Sequence, residues 1–441
     1  MKKASRILSL VLLFAMLFTL AACGGGDKGT DAGPSETATE ARDGIEAGAS
    51  LVYWSMWSET EPQAIALAAA AKAFEADTGV SVKINFNGRQ RQREGIAPAL
   101  AAGETIDLFD EDMDRVSKQW GDYLLPLNDL VNATYSDTNG ASFKSQVNGA
   151  LMDMALGRGN GVYTVIPYQP FIFTGMYNKD LFTQAGISGT PKNWVEFLDA
   201  CEKLKGIGIT AMTIDNAYIP ALFGYTLTRV VGVDRTLAIF AGPELSDPGI
   251  LRTCQILEEL NTKGYMSQRA ATNIYPEGQA SEFGMETVAM LICGTWLPNE
   301  LREINPDLAW GQFAWPSIDA GGAGPEAHNV AAQCFGINKN TRFPNAAFAF
   351  VRWMTVGHWD QKLADDSMGV PMANSARWPA EISEAKSILD ATSNPFPWAA
   401  AAEDDPNIGA AIIDGFQRMV TGSINADAFA NELAKVQKSQ D

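Results

Sequence analysis

The stretch GVYTVIPYQPFIFTGMYNKDLFTQAGISGTPKNWVEFLDACEKLKGIGI, residues 161–209, sets two kinds of segment side by side. Its first half is β-rich, Val162 to Ile166 and Phe171 to Met176, and is interrupted by Pro167 and Pro170. Proline cannot donate a ladder hydrogen bond, so the run reads as a bent connector and not as the middle of a sheet. In the second half Thr190-Pro191 stops the chain, Asn193 can cap a helix, and Glu196 follows three residues later as in a capping box. Trp194, Phe197, Cys201 and Leu204 then recur at helical spacing until Gly206. The whole stretch reads as the crossing from one lobe to a second.

Before it, Leu51 to Trp54 is a predicted strand, and Thr60-Glu61-Pro62-Gln63 opens an Ala-rich helix that Gly79 closes. Val80, Val82, Ile84 and Phe86 alternate as a second strand. A helix around Glu94 to Ala102 and a third strand, Ile106 to Phe109, follow. Strands alternating with helices imply a parallel sheet covered by helices, whose ligands bind at the carboxyl ends of the strands. After the crossing come a strand at Ile209 to Ile214, helices at Tyr218 to Val231 and Asp247 to Lys263, and a strand at Thr287 to Cys293 that ends in Gly294-Thr295-Trp296. Trp310 to Trp315 with Pro316 predicts a second crossing. Cys334 to Ile337 is a returning strand, Pro344 opens a further helix, and Ile412 to Val420 and Ala426 to Val436 form a helical tail.

These pieces resemble the extracellular solute-binding proteins of ATP-binding-cassette importers, in particular the carbohydrate-type group that is similar to maltose-binding protein. The matching residues are Gly161-Val162-Tyr163 with Pro167, Tyr177 to Phe182, Ala185-Gly186-Ile187, Trp194 to Phe197 with Leu204-Lys205, and Ala289-Met290 with Gly294-Thr295-Trp296. Asn193 stands where the family usually has Thr, and Glu286-Thr287 where it often has Gly-Lys. The resemblance implies an α/β, two-lobed periplasmic-binding-protein-like fold, each lobe a central sheet flanked by helices, joined by a hinge crossed more than once. It sets lobe 1 at 51–170 with about 315–365, and lobe 2 at 171–314 with about 366–436. The expected role is a monomeric receptor that delivers a carbohydrate to importer membrane subunits, without a cofactor.

Length and composition agree with this reading. A chain of 441 residues suggests two domains. Lys2, Lys3 and Arg6, the uncharged run Ile7 to Leu20, and the ending Leu20-Ala21-Ala22-Cys23 form a leader, residues 1–22, too short to span a bilayer. Its ending resembles the lipobox of bacterial lipoproteins, which makes Cys23 the lipidated first residue, and residues 23–50 a low-complexity tether. The predicted location is therefore extracytoplasmic, anchored to the cell membrane through lipid alone. With 33 basic and 52 acidic side chains the net charge is -19, which opposes nucleic-acid binding. Cys201, Cys254, Cys293 and Cys334 are far apart and read as buried thiols; His328 and His358 do not make a histidine-based metal site.

A sugar offers C–H patches on its faces and hydroxyls at its edges, so its site needs flat aromatics together with carboxylates or amides. The aromatics at predicted strand ends or crossings are Trp54, Trp57, Trp296 and Trp315, with Tyr218 and Trp398 named by the resemblance. Trp194, Trp353 and Trp359 fall on helices and are assigned to the core. Glu59, Asp110 and Glu111 follow strands, and Tyr168 and Gln169 lie on the crossing. Arg89, Arg91 and Arg93 read as solvated helix-start charges. The alternatives are a surface-anchored glycosidase or lyase and a receptor for a non-sugar solute. A glycosidase needs two carboxyls at a set spacing, but 52 acids always offer a pair. With no GxSxG, Walker A or HExxH motif, no catalytic residue is assigned.

Overall fold

A computed structural model describes residues 42–243 and 245–439; the leader, Cys23 and most of the tether lie outside them. The first three strands, β1 (Ser50–Ser55), β2 (Ser81–Phe86) and β3 (Leu108–Asp112), run parallel, with β1 central. The helix Pro62–Thr78 connects the first two. It begins with proline in the first turn, where no N–H is needed, and ends on Gly79 at φ +75°, whose N–H reaches the Glu75 carbonyl. The helix Arg89–Ala101 leads on to β3.

β4 (Val165–Asn178) is one strand of 14 residues, so the expected break at Pro167 and Pro170 is not seen. Its partners explain why. Along one side β4 pairs antiparallel first with β8 (Asn329–Ile337) and then with β7 (Trp310–Phe313). On its other side β6 (Val288–Gly294) joins only from Phe173 onward. The proline half is thus an open edge, where a missing N–H breaks no ladder. A register shift between Pro167 and Gln169 leaves Tyr168 as an extra, bulged residue. Beyond β6, β5 (Thr210–Thr213) pairs parallel with it and completes the order β2-β1-β3-β8-β4-β6-β5.

The second crossing also differs from expectation. Trp310–Phe313 pairs with the far half of β4, and the chain returns only along β8, opposite residues 173 back to 165. Core membership follows the same division. One apolar cluster draws on residues 49–172, 330–372 and Ala385, with a smaller patch around Phe109 and Trp120. A second draws on 173–327 and 396–433. The sequence reading sets these boundaries at 170/171, about 315 and about 366.

The helix Trp194–Gly206 starts as its sequence requires: Asn193 Oδ1 accepts from Glu196 N at 3.0 Å, and Glu196 Oε2 accepts from Lys192 N at 2.8 Å. Trp194 and Phe197 stack with centroids 4.8 Å apart, and Cys201 and Leu204 are fully buried below them. Burying a side chain of this size contributes about 1.5–3 kcal/mol, which exceeds the helix's own propensity. Cys201, Cys254, Cys293 and Cys334 are all buried and unpaired, as free thiols. No helix among the described residues is long and apolar enough to cross a membrane.

Candidate ligand-binding site

Between the two cores lies a cavity of about 1200 Å³. Its floor is the open edge of β4, with Gln169, Pro170 and Phe171, and the neighbouring Gln333 of β8.

The second-core wall is aromatic because of where its elements stop. β6 ends on Gly294, the chain turns, and Trp296 immediately precedes the short helix Leu297–Leu301. The half-buried Trp296 ring lies so close over Gly294 that a Cβ there would meet ring carbons at 2.1–2.3 Å. Phe171 meets the same ring edge-on at 5.2 Å. Trp296 Nε1 donates to Tyr218 Oη at 2.8 Å, and Tyr218 Oη donates to Glu300 Oε1 at 3.1 Å. Trp398 stands 6.3 Å from Trp296 and donates its Nε1–H to Glu403. The turn that carries Trp398 packs tightly on the helix Ile219–Val231: a Cβ on Gly224 would come within 2.0 Å of the Ala399 carbonyl.

The first-core wall is polar, and several of its charges are paired. Trp57 presents its ring beneath the Arg89 guanidinium at 4.8 Å, while Arg89 is bound to Glu61 at 2.9 Å. Arg93 forms a two-pronged pair with Glu111, at 3.1 and 3.0 Å. Such forks fix geometry as well as charge.

Of the residues named from sequence, Trp57, Glu111, Gln169, Tyr218, Trp296 and Trp398 line the cavity, and so do Arg89 and Arg93, which are held in ion pairs and are not simply solvated helix-start charges. Trp54, Glu59, Asp110, Tyr168 and Trp315 are not among its lining residues. Strand alternation accounts for Asp110. On β3 Glu111 faces the cavity, whereas Asp110 turns inward to accept from Met56 N at 2.7 Å, Tyr53 Oη at 2.7 Å, Tyr168 Oη at 2.6 Å and Ser55 Oγ at 3.2 Å. The bulge at Tyr168 sends that ring into the core against Phe335, at 4.2 Å, and Gln169 to the cavity. Trp57 is nevertheless tied to this buried set, since its Nε1 donates to Tyr168 Oη at 2.6 Å. Trp54 is half-buried against the Phe109 patch, and Glu59 is an exposed turn residue. Trp315 is only 1% exposed and packs between Phe313 and Phe197 in the second core.

Phe171, Tyr275, Glu300 and Gln333 line the cavity and escaped the sequence reading. Phe171 had a usable signal, being two residues from Gln169 on one strand. Glu300 had one too, sitting one helical turn after Trp296. Gln333 became visible only through its pairing with Gln169.

Burial pushes the Glu300 carboxyl up to about 8, more than the hydrogen bonds from Tyr218 and Trp296 offset. Burial likewise raises Asp110, Asp112 and Asp215 to about 6, and Asp360 to about 7. In the unfolded chain these groups titrate near 4. The folded state therefore holds their protons more tightly, and the stability this contributes is complete below about pH 4 and lost as pH rises through about 6 to 8. We expect a higher melting temperature at pH 5 than at pH 8. Glu300→Gln should flatten the upper part of the profile, between about pH 7 and 9, whereas reduced net repulsion alone would leave that limb unchanged. An identical upper limb in the variant would contradict the assignment.

The arrangement defines a class: a two-lobed α/β chain with a ligand-sized cleft, aromatic on one side and polar on the other. The profile of the bacterial extracellular solute-binding proteins matches residues 57–356, and the chain belongs to that family. A protein named as a binding protein in Brucella abortus (strain 2308) is 30% identical over 173 residues, 37% of this chain and 40% of that protein. The match therefore spans well under half of that relative's length. Among solved structures, a chitin oligosaccharide binding protein superposes with a TM-score of 0.70 at 20% identity, over 88% of this chain and 97% of the other. RafE in complex with raffinose gives 0.67 at 18% identity, over 88% and 98%. At these identities the likeness is one of fold, and the family and these neighbours are binding proteins.

Proposed function

We propose that the chain is an extracytoplasmic receptor that binds a carbohydrate, an oligosaccharide in view of the cleft's size, and delivers it to the membrane subunits of an ATP-binding-cassette importer. The observation that carries this is the cleft itself, with Trp296 and Phe171 set for the apolar faces of a sugar ring and Gln169, Gln333 and the Arg93–Glu111 pair set for its edges. The names of the structural neighbours, which bind chitin oligosaccharide and raffinose, support the same class. The ligand-contact set is Trp57, Glu111, Gln169, Tyr218, Trp296 and Trp398, together with Phe171, Gln333 and Arg93. Binding closes the lobes about β4 and β8, the two strands on which the cores meet. The protein acts as a monomer, without catalysis or a cofactor.

The test is a thermal-shift screen of the protein without its leader and lipid, residues 24–441, against raffinose, stachyose, chitin oligosaccharides, malto-oligosaccharides, polyols and peptides. A specific binder at a hundredfold excess over its dissociation constant stabilises the folded state by about 2.7 kcal/mol. Shifts with sugars alone support the reading, and a shift with peptide alone overturns it.

The lipid anchor at Cys23 completes the proposal. It rests on Leu20-Ala21-Ala22-Cys23 and the tether that follows. Cys23→Ser should abolish labelling by a radioactive fatty acid and either release the protein or leave an unprocessed precursor. Labelling that persists in the variant would remove the anchor from the proposal.

A further inference from the structure

Gln169 on β4 and Gln333 on β8 stand directly opposite each other across the ladder. Opposed residues of an antiparallel pair project from the same face, with Cβ atoms about 5 Å apart. Both line the cavity, and both amide oxygens are buried without a hydrogen-bond donor. Gln169 is only 8% exposed. A buried acceptor in that state is costly, and beside an open cavity the donor that satisfies it can come from water or from a ligand.

The polarity of Gln169 is fixed by its surroundings. Ser367 Oγ donates its one proton to the Leu363 carbonyl at 2.6 Å. Only lone pairs remain on that oxygen, and it accepts from Gln169 Nε2 at 3.0 Å. Turning the amide over would make Ser367 give up its bond to the Leu363 carbonyl in order to donate to Oε1. Nε2 is thus taken, and Oε1 is the atom left without a partner beside the cleft. The turn that carries Ser367 is in its turn gripped by the second lobe: Asn299 Nδ2 donates to the Ser367 carbonyl at 2.6 Å, and Arg302 donates to the Asp366 carbonyl at 3.2 Å. Asn299 lies on the helix that follows Trp296 directly. The residue orienting the hinge acceptor is therefore held from the lobe that carries the aromatic wall.

We propose that Gln169 and Gln333 form a donor-reading subsite at the hinge, whose occupant presents hydrogen-bond donors on adjacent atoms, as a vicinal diol or amino alcohol of a sugar ring does. Ser367 is its positioning residue. The proposal rests on the reading of the cleft as a carbohydrate site, and its test has one arm that needs no ligand.

In protein labelled with ¹⁵N at glutamine side chains, one Gln169 amide proton should be protected from exchange. Protection should vanish in Ser367→Ala and survive in Ser367→Thr, which keeps the hydroxyl. The second arm uses the sugar giving the largest shift in the thermal panel, with its monodeoxyfluoro derivatives, since fluorine cannot donate. In the wild type, fluorine at one of two adjacent positions should weaken binding about tenfold or more. In Ser367→Ala the amide can turn over, and that penalty should shrink to about threefold or less, with Ser367→Thr restoring it. A merely structural serine would weaken all derivatives equally. Unprotected Gln169 protons in the wild type, or equal fluorine penalties in wild type and Ser367→Ala, would overturn the subsite. A panel without any sugar binder would count against the carbohydrate reading, while the exchange arm would still decide the polarity of Gln169.

Discussion

Trp296→Ala is expected to lower affinity for the panel's best sugar by about thirtyfold or more while leaving most of the ligand-free stability in place. Removing a large ring from a partly dry site commonly costs about 2 kcal/mol or more of binding. The stability cost is smaller than for a core tryptophan, because Trp296 is half-buried and Tyr218 keeps its hydrogen bond to Glu300 when the indole donor is gone. Gly294→Ala offers a separate route to the same outcome. The added methyl would lie 2.1–2.3 Å from the ring, so the ring must swing away without being removed. The contrast is Trp315→Ala, where a ring buried in the second core is lost at about 3–5 kcal/mol of stability. Its folded fraction should bind normally. Calorimetric titration and melting of the three variants decide the matter. If Trp296→Ala melts as low as Trp315→Ala and its folded fraction binds with wild-type affinity, Trp296 belongs to the core.

What could be read from sequence was what local chemistry determines. The helix Trp194–Gly206 was legible because Asn193, Glu196 and the apolar period all specify it. β6 and the aromatic after it were legible because Gly294 ends an apolar run at a strand's carboxyl end. β4 was misread because proline's effect depends on which side of a strand is paired, and that depends on β6, more than a hundred residues further on. The same non-local dependence hid the second crossing, since Trp310–Phe313 and Asn329–Ile337 both pair with β4 and differ only in which half they meet. Composition pointed to tryptophans and carboxylates as a class. It could not say that Trp57 faces the cleft while Trp315 fills the core, or that Glu111 faces the cavity while Asp110 faces inward.

That last distinction yields a second large effect. Asp110, fully buried, accepts four hydrogen bonds from Met56 N, Tyr53, Tyr168 and Ser55, and Tyr168 in turn accepts from Trp57. Asp110→Ala would leave those donors without an acceptor in a site water does not reach, and each unsatisfied group costs about 1–3 kcal/mol. The terms do not simply add, because removing a carboxylate that burial has raised to about 6 recovers part of its desolvation cost. A net loss of about 3–5 kcal/mol is the expected result, read as a large fall in the denaturation midpoint. Asp110→Asn should fall between, since it keeps one acceptor oxygen but brings an NH₂ into a cluster of donors. Glu59→Ala, at an exposed turn position, should change stability by less than about 0.5 kcal/mol. Affinity should weaken in Asp110→Ala as well, through Trp57, whose indole loses a fixed partner once Tyr168 is free to move. The two effects should therefore appear together. An Asp110→Ala protein that keeps the wild-type midpoint but no longer binds the sugar would mean that this carboxylate meets the ligand directly, contrary to its burial beneath Met56 and Tyr168.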